Sequence, residues 1–315
     1  MLRLDELQNN FKGKLALNEM MSKHTSFCIG GPADLYAEPN DKNDSLALLS
    51  FLQEQNISFT ILGNGSNVLI SDDGLRGVVI NLESGMNTIS YENAKHPPLE
   101  DNFVIVESGV MLNRFVDFCI QRELKGVEML AGIPGTIGGA IRMNAGAHGG
   151  EISDFIFDVE VIREKQFQTI SKEEAQFKYR SSGLRKDDVV VGARFQFPMG
   201  NKEEMIVMRK EMLKKRNATQ PLDLPNSGSV FKNPKPQYAA KLIEECGIKG
   251  MRIGNAAISE KHANFIVNLG GAKANDVLSL MKLAKKTVKE KCNVDLELEV
   301  KLMGFREEEL VGVYS

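Results

Sequence analysis

The segment Pro225-Asn226-Ser227-Gly228-Ser229-Val230-Phe231-Lys232-Asn233-Pro234 sets serines between proline and glycine, with a lysine and an asparagine close behind. It has neither the period of a buried strand nor that of an amphipathic helix. A hydroxyl on such a turn can be held rigidly and still face a cleft. Taken alone, the segment reads as a polar surface turn. It gains weight from two distant segments, Tyr179-Arg180-Ser181-Ser182 and Glu297-Leu298-Glu299-Val300, which supply a guanidinium and two carboxylates. By themselves, Arg180 reads as a surface ion-pair partner and Glu299 as a solvated strand residue. Glu297 and Glu299 fall on one strand face by alternation, so spacing does not choose between them.

Two glycine-rich loops accompany these residues. Gly63-Asn64-Gly65-Ser66-Asn67 lies between two short β-like runs. Its backbone N–H groups suit an anion-binding nest, and its Asn-Gly dipeptide suits a tight hairpin equally well. In Gly132-Ile133-Pro134-Gly135-Thr136-Ile137-Gly138-Gly139-Ala140, followed by Asn144-Ala145-Gly146-Ala147, small residues continue for more than a turn. Close backbone approach to a flat or phosphorylated ligand explains that density better than a structural turn does. Neither loop is the dinucleotide fingerprint, because the third glycine or the preceding strand is missing.

The elements that must position these loops can be read from periodicity. Helical spacing covers Asp41–Gln55, Leu112–Leu124 (Phe115, Phe118 and Cys119 on one face), Lys202–Arg216, Tyr238–Cys246 and Asn275–Lys291. Met205, Met208, Met212 and Leu213 form an apolar stripe expected to be core. β-like runs cover Phe59–Leu62, Val68–Ile70, Gly77–Leu82, Phe103–Val106, Phe155–Ile162, Val189–Phe197, Phe265–Leu269 and Leu296–Met303, the last alternating. Met86–Asn102, with Pro97-Pro98, reads as a connection or weak hairpin. Helices and strands interleave without a βαβ rhythm, so the fold class is α+β, with boundaries near residues 85 and 198.

Composition limits the alternatives. A formal charge of −3 gives no global field for nucleic acid. No apolar run approaches the roughly 18 residues of a spanning helix. The N-terminus, Met1-Leu2-Arg3-Leu4-Asp5-Glu6, lacks the apolar stretch of a signal peptide, so a cytoplasmic protein without a membrane partner is expected. Cys28, Cys119, Cys246 and Cys292 form no CxxC pair, and no metal site is expected. They read as reduced, mostly buried small hydrophobes, Cys28 included.

Taken together, His24-Thr25-Ser26-Phe27, Gly30-Gly31-Pro32-Ala33, GNGSN, AGIPGTIGGA, MNAGA, YRSS, GSVFKNP and ELEV, in this order, resemble the UDP-N-acetylenolpyruvoylglucosamine reductase family (MurB) of peptidoglycan precursor synthesis. The matches span nearly the whole chain. The resemblance implies a two-subdomain FAD-binding fold of the vanillyl-alcohol-oxidase/PCMH type over residues 1–85 and 86–198. It also implies an α+β substrate-binding domain over 199–315. Non-covalent FAD, NADPH as hydride donor and UDP-N-acetylglucosamine enolpyruvate as substrate follow from it, with a monomer expected.

By position, the resemblance implies cofactor contacts from Gly63, Asn64, Gly65, Ser66, Asn67, Gly132, Ile133, Pro134, Gly135, Thr136, Gly138, Gly139, Asn144, Gly146 and Arg216. It implies substrate contacts from Tyr179, Lys232 and Asn233, and a catalytic trio of Arg180, Ser229 and Glu299. In that scheme Arg180 binds a carboxylate, Ser229 delivers a proton, and Glu299 is a neutral donor. The short passage from Arg180 to the next strand matches the family's second type, which lacks an inserted tyrosine loop. Leu298 and Lys301 stand where many members have proline and arginine, and lysine loses the planar fork of arginine.

Overall fold

The computed structural model describes Leu7, residues 11–93 and residues 102–314. The acidic N-terminal hexapeptide and the Pro97-Pro98 connection lie outside the described residues. The chain separates into two compact units, Met1–Ala16, Tyr36–Gly63 and Val78–Lys215 against Leu17–Leu35, Asn64–Gly77 and Arg216–Ser315.

The first unit is organised on a five-stranded antiparallel sheet. Its spatial order is Gln166–Ser171, Ile156–Arg163, Val189–Gln196, Asn102–Glu107, Ile89–Asn93. Helix α1 (Lys42–Glu54) starts where the Asp41 carboxylate accepts the Asp44 amide at 2.8 Å. Helix α2 (Leu112–Gln121) buries Leu112, Phe115, Val116, Cys119 and Ile120, a stripe at helical spacing. That stripe joins Val104, Val106, Val159, Val161 and Phe195 of the sheet in one core. The short helix α3 (Ile137–Arg142) takes in the last four residues of the second glycine loop, so Gly138 and Gly139 are helical. Near Gly63, Phe59–Ile61 pairs in parallel with Val78, Val79 and Ile80.

Helix α4 (Lys202–Thr219) departs from the sequence reading. Of its residues only Met205 is buried, and Met208 is exposed. Met205 joins the first unit's core, but Met208 is exposed and Met212 and Leu213 are half-buried, so only the first turn of the stripe is core.

The second unit packs helices α5 (Ala239–Glu245) and α6 (Ala274–Cys292) with the antiparallel strands Arg252–Ile253, Ala256–Ile258 and Ile266–Asn268. Val277, Leu280, Met281, Ala284 and Val288 of α6 are all buried, as their spacing predicts. Lys301–Met303 pairs in parallel with Val68–Ile70. One of the two open readings of GNGSN falls away, and the expectation for Leu296–Met303 is corrected. GNGSN is not a hairpin turn, because the flanking strands Phe59–Ile61 and Val68–Ile70 pair with other partners. Leu296–Met303 is not one alternating strand. Val230 O accepts both the Glu299 amide (2.8 Å) and the Val300 amide (3.4 Å), a two-to-one bulge that breaks the alternation. Cys28 is also exposed rather than packed.

Candidate active site

In the first unit a cleft of about 120 Å³ is lined by Gly63, Ser108, Gly109, Thr136, Gly138, Gly139, Arg142 and Asp188, with Ile61, Leu62, Leu82, Glu83 and Val190. Several glycines of the predicted loops are explained here atom by atom. A Cβ on Gly63 would meet Thr136 Oγ1 at 2.5 Å, and one on Gly138 would meet Ser108 Cβ at 3.0 Å. Gly139 differs. The nearest atom to its Cβ would be Thr136 Oγ1 at 3.7 Å, so that stretch of main chain is open to a ligand. Gly132 and Gly135 have φ of 79° and 122°, where side chains are disfavoured. Gly146 is packed against the Gly150 carbonyl, whose oxygen would lie 2.4 Å from a Cβ at position 146.

Arg142 and Asp188 carry chemistry that sequence reasoning missed. The Arg142 guanidinium donates to the carbonyls of Leu184 (3.1 Å), Arg185 (2.7 Å) and Asp188 (2.5 Å). Burial lowers its pKa, and Asp188 opposes the shift. The Asp188 carboxylate is fully buried and takes two bonds from Arg163, at 2.7 and 2.8 Å. Burial alone would raise its pKa. Arg163, the Arg185 amide and the Arg142 charge outweigh burial and hold it below the usual range. Glu83 goes the other way, raised by burial and then by Glu38.

Arg180 sits in the first unit with φ of 56°. Its Nη2 donates to Gly146 O at 2.8 Å, and its guanidinium lies 5.0 Å from the Tyr179 ring centre. Asn144 is fully buried. Its amide donates to Glu151 Oε2 (2.7 Å) and Lys178 O (3.0 Å), and its oxygen accepts from the Ser153 amide (3.3 Å).

Ser229 and Glu299 belong to the second unit, where four predicted motifs converge. Phe231 and Leu298 form an antiparallel bridge, and the Lys232 amide donates to Glu297 O at 2.9 Å. This pairing sets the turn that carries Ser229 beside the segment that carries Glu299. Asn67 Nδ2 donates to Glu299 O at 3.2 Å, and Asn67 O accepts the Lys301 amide at 3.0 Å. Ser26 Oγ donates to Asn226 O (2.7 Å) and Gly65 O (3.3 Å). A Cβ on Gly65, at φ 60°, would strike His24 O at 2.0 Å.

Because of the bulge, the two glutamates have different surroundings. Glu297 is exposed and pairs with Lys232 Nζ at 3.1 Å, while Glu299 is half-buried. The Lys301 ammonium is held below the usual lysine value by burial of its nitrogen, although the residue as a whole is exposed. Lys232 adds to that shift and Glu299 opposes it. Asn233 Oδ1 accepts the Ala239 amide at 3.0 Å and so satisfies the first amide of α5. Arg216, on α4, has its pKa lowered by burial. Among the described residues no group of His, Cys, Asp or Glu could hold a metal ion, and no helix is long and apolar enough to cross a membrane.

Residues 220–303 match the UDP-N-acetylenolpyruvoylglucosamine reductase C-terminal domain, and residues 33–165 match an FAD binding domain. A UDP-N-acetylenolpyruvoylglucosamine reductase of Chloroherpeton thalassium is 43% identical over 316 residues, covering 98% of this chain and 99% of that protein. The chain belongs to this reductase family. A second relative of the same name, from Bacillus subtilis, is 38% identical and covers 96% of this chain and 98% of its own length. The crystal structure of the reductase (MurB) from Thermus caldophilus matches with a TM-score of 0.77 at 34% identity, covering 93% of this chain and 99% of that one. The fold expected from the resemblance, an FAD-binding region followed by the reductase C-terminal domain in an α+β chain, is found. The first unit's cleft fits a flavin nucleotide in kind, with walls of glycine main chain, hydroxyls of Ser108 and Thr136, and a guanidinium.

Proposed function

We propose that this chain reduces UDP-N-acetylglucosamine enolpyruvate to UDP-N-acetylmuramate, using FAD and NADPH. The observation that carries the reading is the 43% identity to a named reductase over 98% of the chain. FAD, when bound, would pass hydride from NADPH to the terminal carbon of the substrate's vinyl group.

The chain's own residues would do the rest. Gly63, Ser108, Gly109, Thr136, Gly138 and Gly139 would hold the cofactor through main-chain and hydroxyl groups, with Arg216 as a cation for it. Residues 1–85 and 86–198 would form the two halves of the FAD region, and 199–315 the substrate domain. Arg180 would bind the substrate carboxylate in a bidentate pair and stabilise the negative charge that develops there. Ser229 Oγ would give its proton to the carbon next to that carboxylate, completing the addition of hydride and proton across the double bond. Glu299, protonated, would donate a hydrogen bond, because an ionised carboxylate beside another is repulsive. Tyr179, Lys232 and Asn233 would line the substrate.

Ser229→Ala tests the assignment. NADPH should still bleach the flavin, while reoxidation by the sugar nucleotide should slow by roughly 10²–10⁴-fold, the usual cost of losing a general acid. Two intact half-reactions would remove Ser229 from the mechanism. Glu299→Ala at near-full turnover would remove the neutral donor in the same way.

A further inference from the structure

The turn that carries Arg180 is fastened at both ends to one short stretch of the first unit. Arg180 has a left-handed backbone, which residues with a Cβ disfavour. The turn closes with reciprocal main-chain bonds between Lys178 and Ser181, 3.0 Å each way. Of the two residues in this loop, Tyr179 and Arg180, only Arg180 has a positive φ, at a position where turns usually place Gly or Asn, so an arginine there needs outside support.

That support comes from residues 142–144. Upstream of Arg180, Asn144 Nδ2 donates to Lys178 O at 3.0 Å. Downstream, Ser182 Oγ donates to Arg142 O at 3.0 Å. Further on, the Arg142 guanidinium gathers the carbonyls of Leu184, Arg185 and Asp188. Asn144 is itself rigid, fully buried and bonded at both ends of its amide to Glu151 and Ser153. The stretch that does this fastening is the end of α3, whose Gly138, Gly139 and Arg142 line the cleft.

We infer that Asn144 and Ser182 are positioning residues for Arg180. They hold the 178–182 turn so that the guanidinium stays at Gly146 O and the Tyr179 ring. The inference rests on the role of Arg180 proposed above. Neither side chain needs to touch substrate. Removing either lets the backbone at Arg180 relax toward the ordinary right-handed region and moves the guanidinium.

The test uses the FAD-loaded enzyme. Ser182→Ala, the milder change, should leave the rate of flavin reduction by NADPH within about twofold. Reoxidation by the sugar nucleotide should slow roughly fivefold, the worth of one net hydrogen bond, with kcat falling and KM little changed. Asn144→Ala should slow it more. Hydrogen exchange of amides 178–183 should quicken in both variants, a readout independent of turnover. In an Arg180→Ala background, Ser182→Ala should cost nothing further, because there is no guanidinium left to place.

A Ser182→Ala loss of equal size in both backgrounds would overturn the inference, and so would unchanged exchange at 178–183. Arg180→Ala alone is the control on the underlying reading. If it leaves reoxidation intact, Arg180 has no such role and the positioning claim falls with it. If Arg180→Ala is crippled but Ser182→Ala and Asn144→Ala behave as wild type, only the positioning claim fails.

Discussion

The side-chain amide of Asn67 donates to the main-chain oxygen of Glu299 at 3.2 Å, across 232 positions of sequence. The same residue's carbonyl accepts the Lys301 amide. Asn67 thus braces the bulged segment that presents Glu299. We expect Asn67→Ala to slow the substrate half-reaction about fivefold, from the ~1 kcal/mol of one net hydrogen bond. Stopped-flow reoxidation checks this, and an unchanged rate would detach Asn67 from Glu299 placement.

Ser227 offers a stability prediction. It is 2% exposed, and its hydroxyl oxygen has no hydrogen-bond partner among the described residues. A buried unpaired hydroxyl carries a desolvation cost of about 1–3 kcal/mol. Ser227→Ala should therefore be neutral or stabilising despite its position two residues from Ser229. Urea unfolding reads it, and a clear loss of stability would mean the hydroxyl is satisfied in solution.

Asp188 should behave in the opposite way. Its carboxylate is fully buried against Arg163. Removing one partner of such a pair leaves an uncompensated buried charge and costs about 3–5 kcal/mol. Asp188→Asn should lower Tm markedly at pH 7. The Asp188 pKa is lowered in the folded state. Its contribution is therefore present above the unfolded carboxylate value of about 3.9 and is lost as pH falls through the folded value. The gap between variant and wild type should narrow in acid.

Glu83, on the cleft wall, has its pKa raised by burial and by Glu38. For a raised carboxyl the sign reverses. Its favourable contribution is present below the unfolded value and is lost as pH rises through the folded one. Glu83→Gln should thus raise Tm at neutral pH and give no advantage below about pH 4, where both states are protonated. A constant offset across pH would place the effect outside Glu83 ionisation.

Local order was legible in the sequence, and long-range order was not. Val277, Leu280, Met281, Ala284 and Val288 announce helix α6 because one face must bury and 3.6-residue spacing shows it. GNGSN could not be resolved from hairpin turn to ligand loop, since the deciding partners lie at 301–303 and 78–80. Glu297 and Glu299 looked equivalent because a bulge leaves no trace in alternation until its opposite residue, Val230, is known. Arg142 gave no signal at all. Its function lies in the carbonyls of Leu184, Arg185, Lys186 and Asp188, more than forty residues away, and carbonyls are the same in every residue type. Beyond Met205, the methionine stripe of α4 misled for a related reason. Helical spacing marks a face but not whether anything packs on it.

The most direct test of the proposed function is an anaerobic absorbance titration of the purified protein. NADPH should bleach a flavin spectrum, and UDP-N-acetylglucosamine enolpyruvate should then restore it. Bleaching without recovery would contradict the substrate assignment. A protein that shows no flavin, even after FAD is added, would contradict the account as a whole.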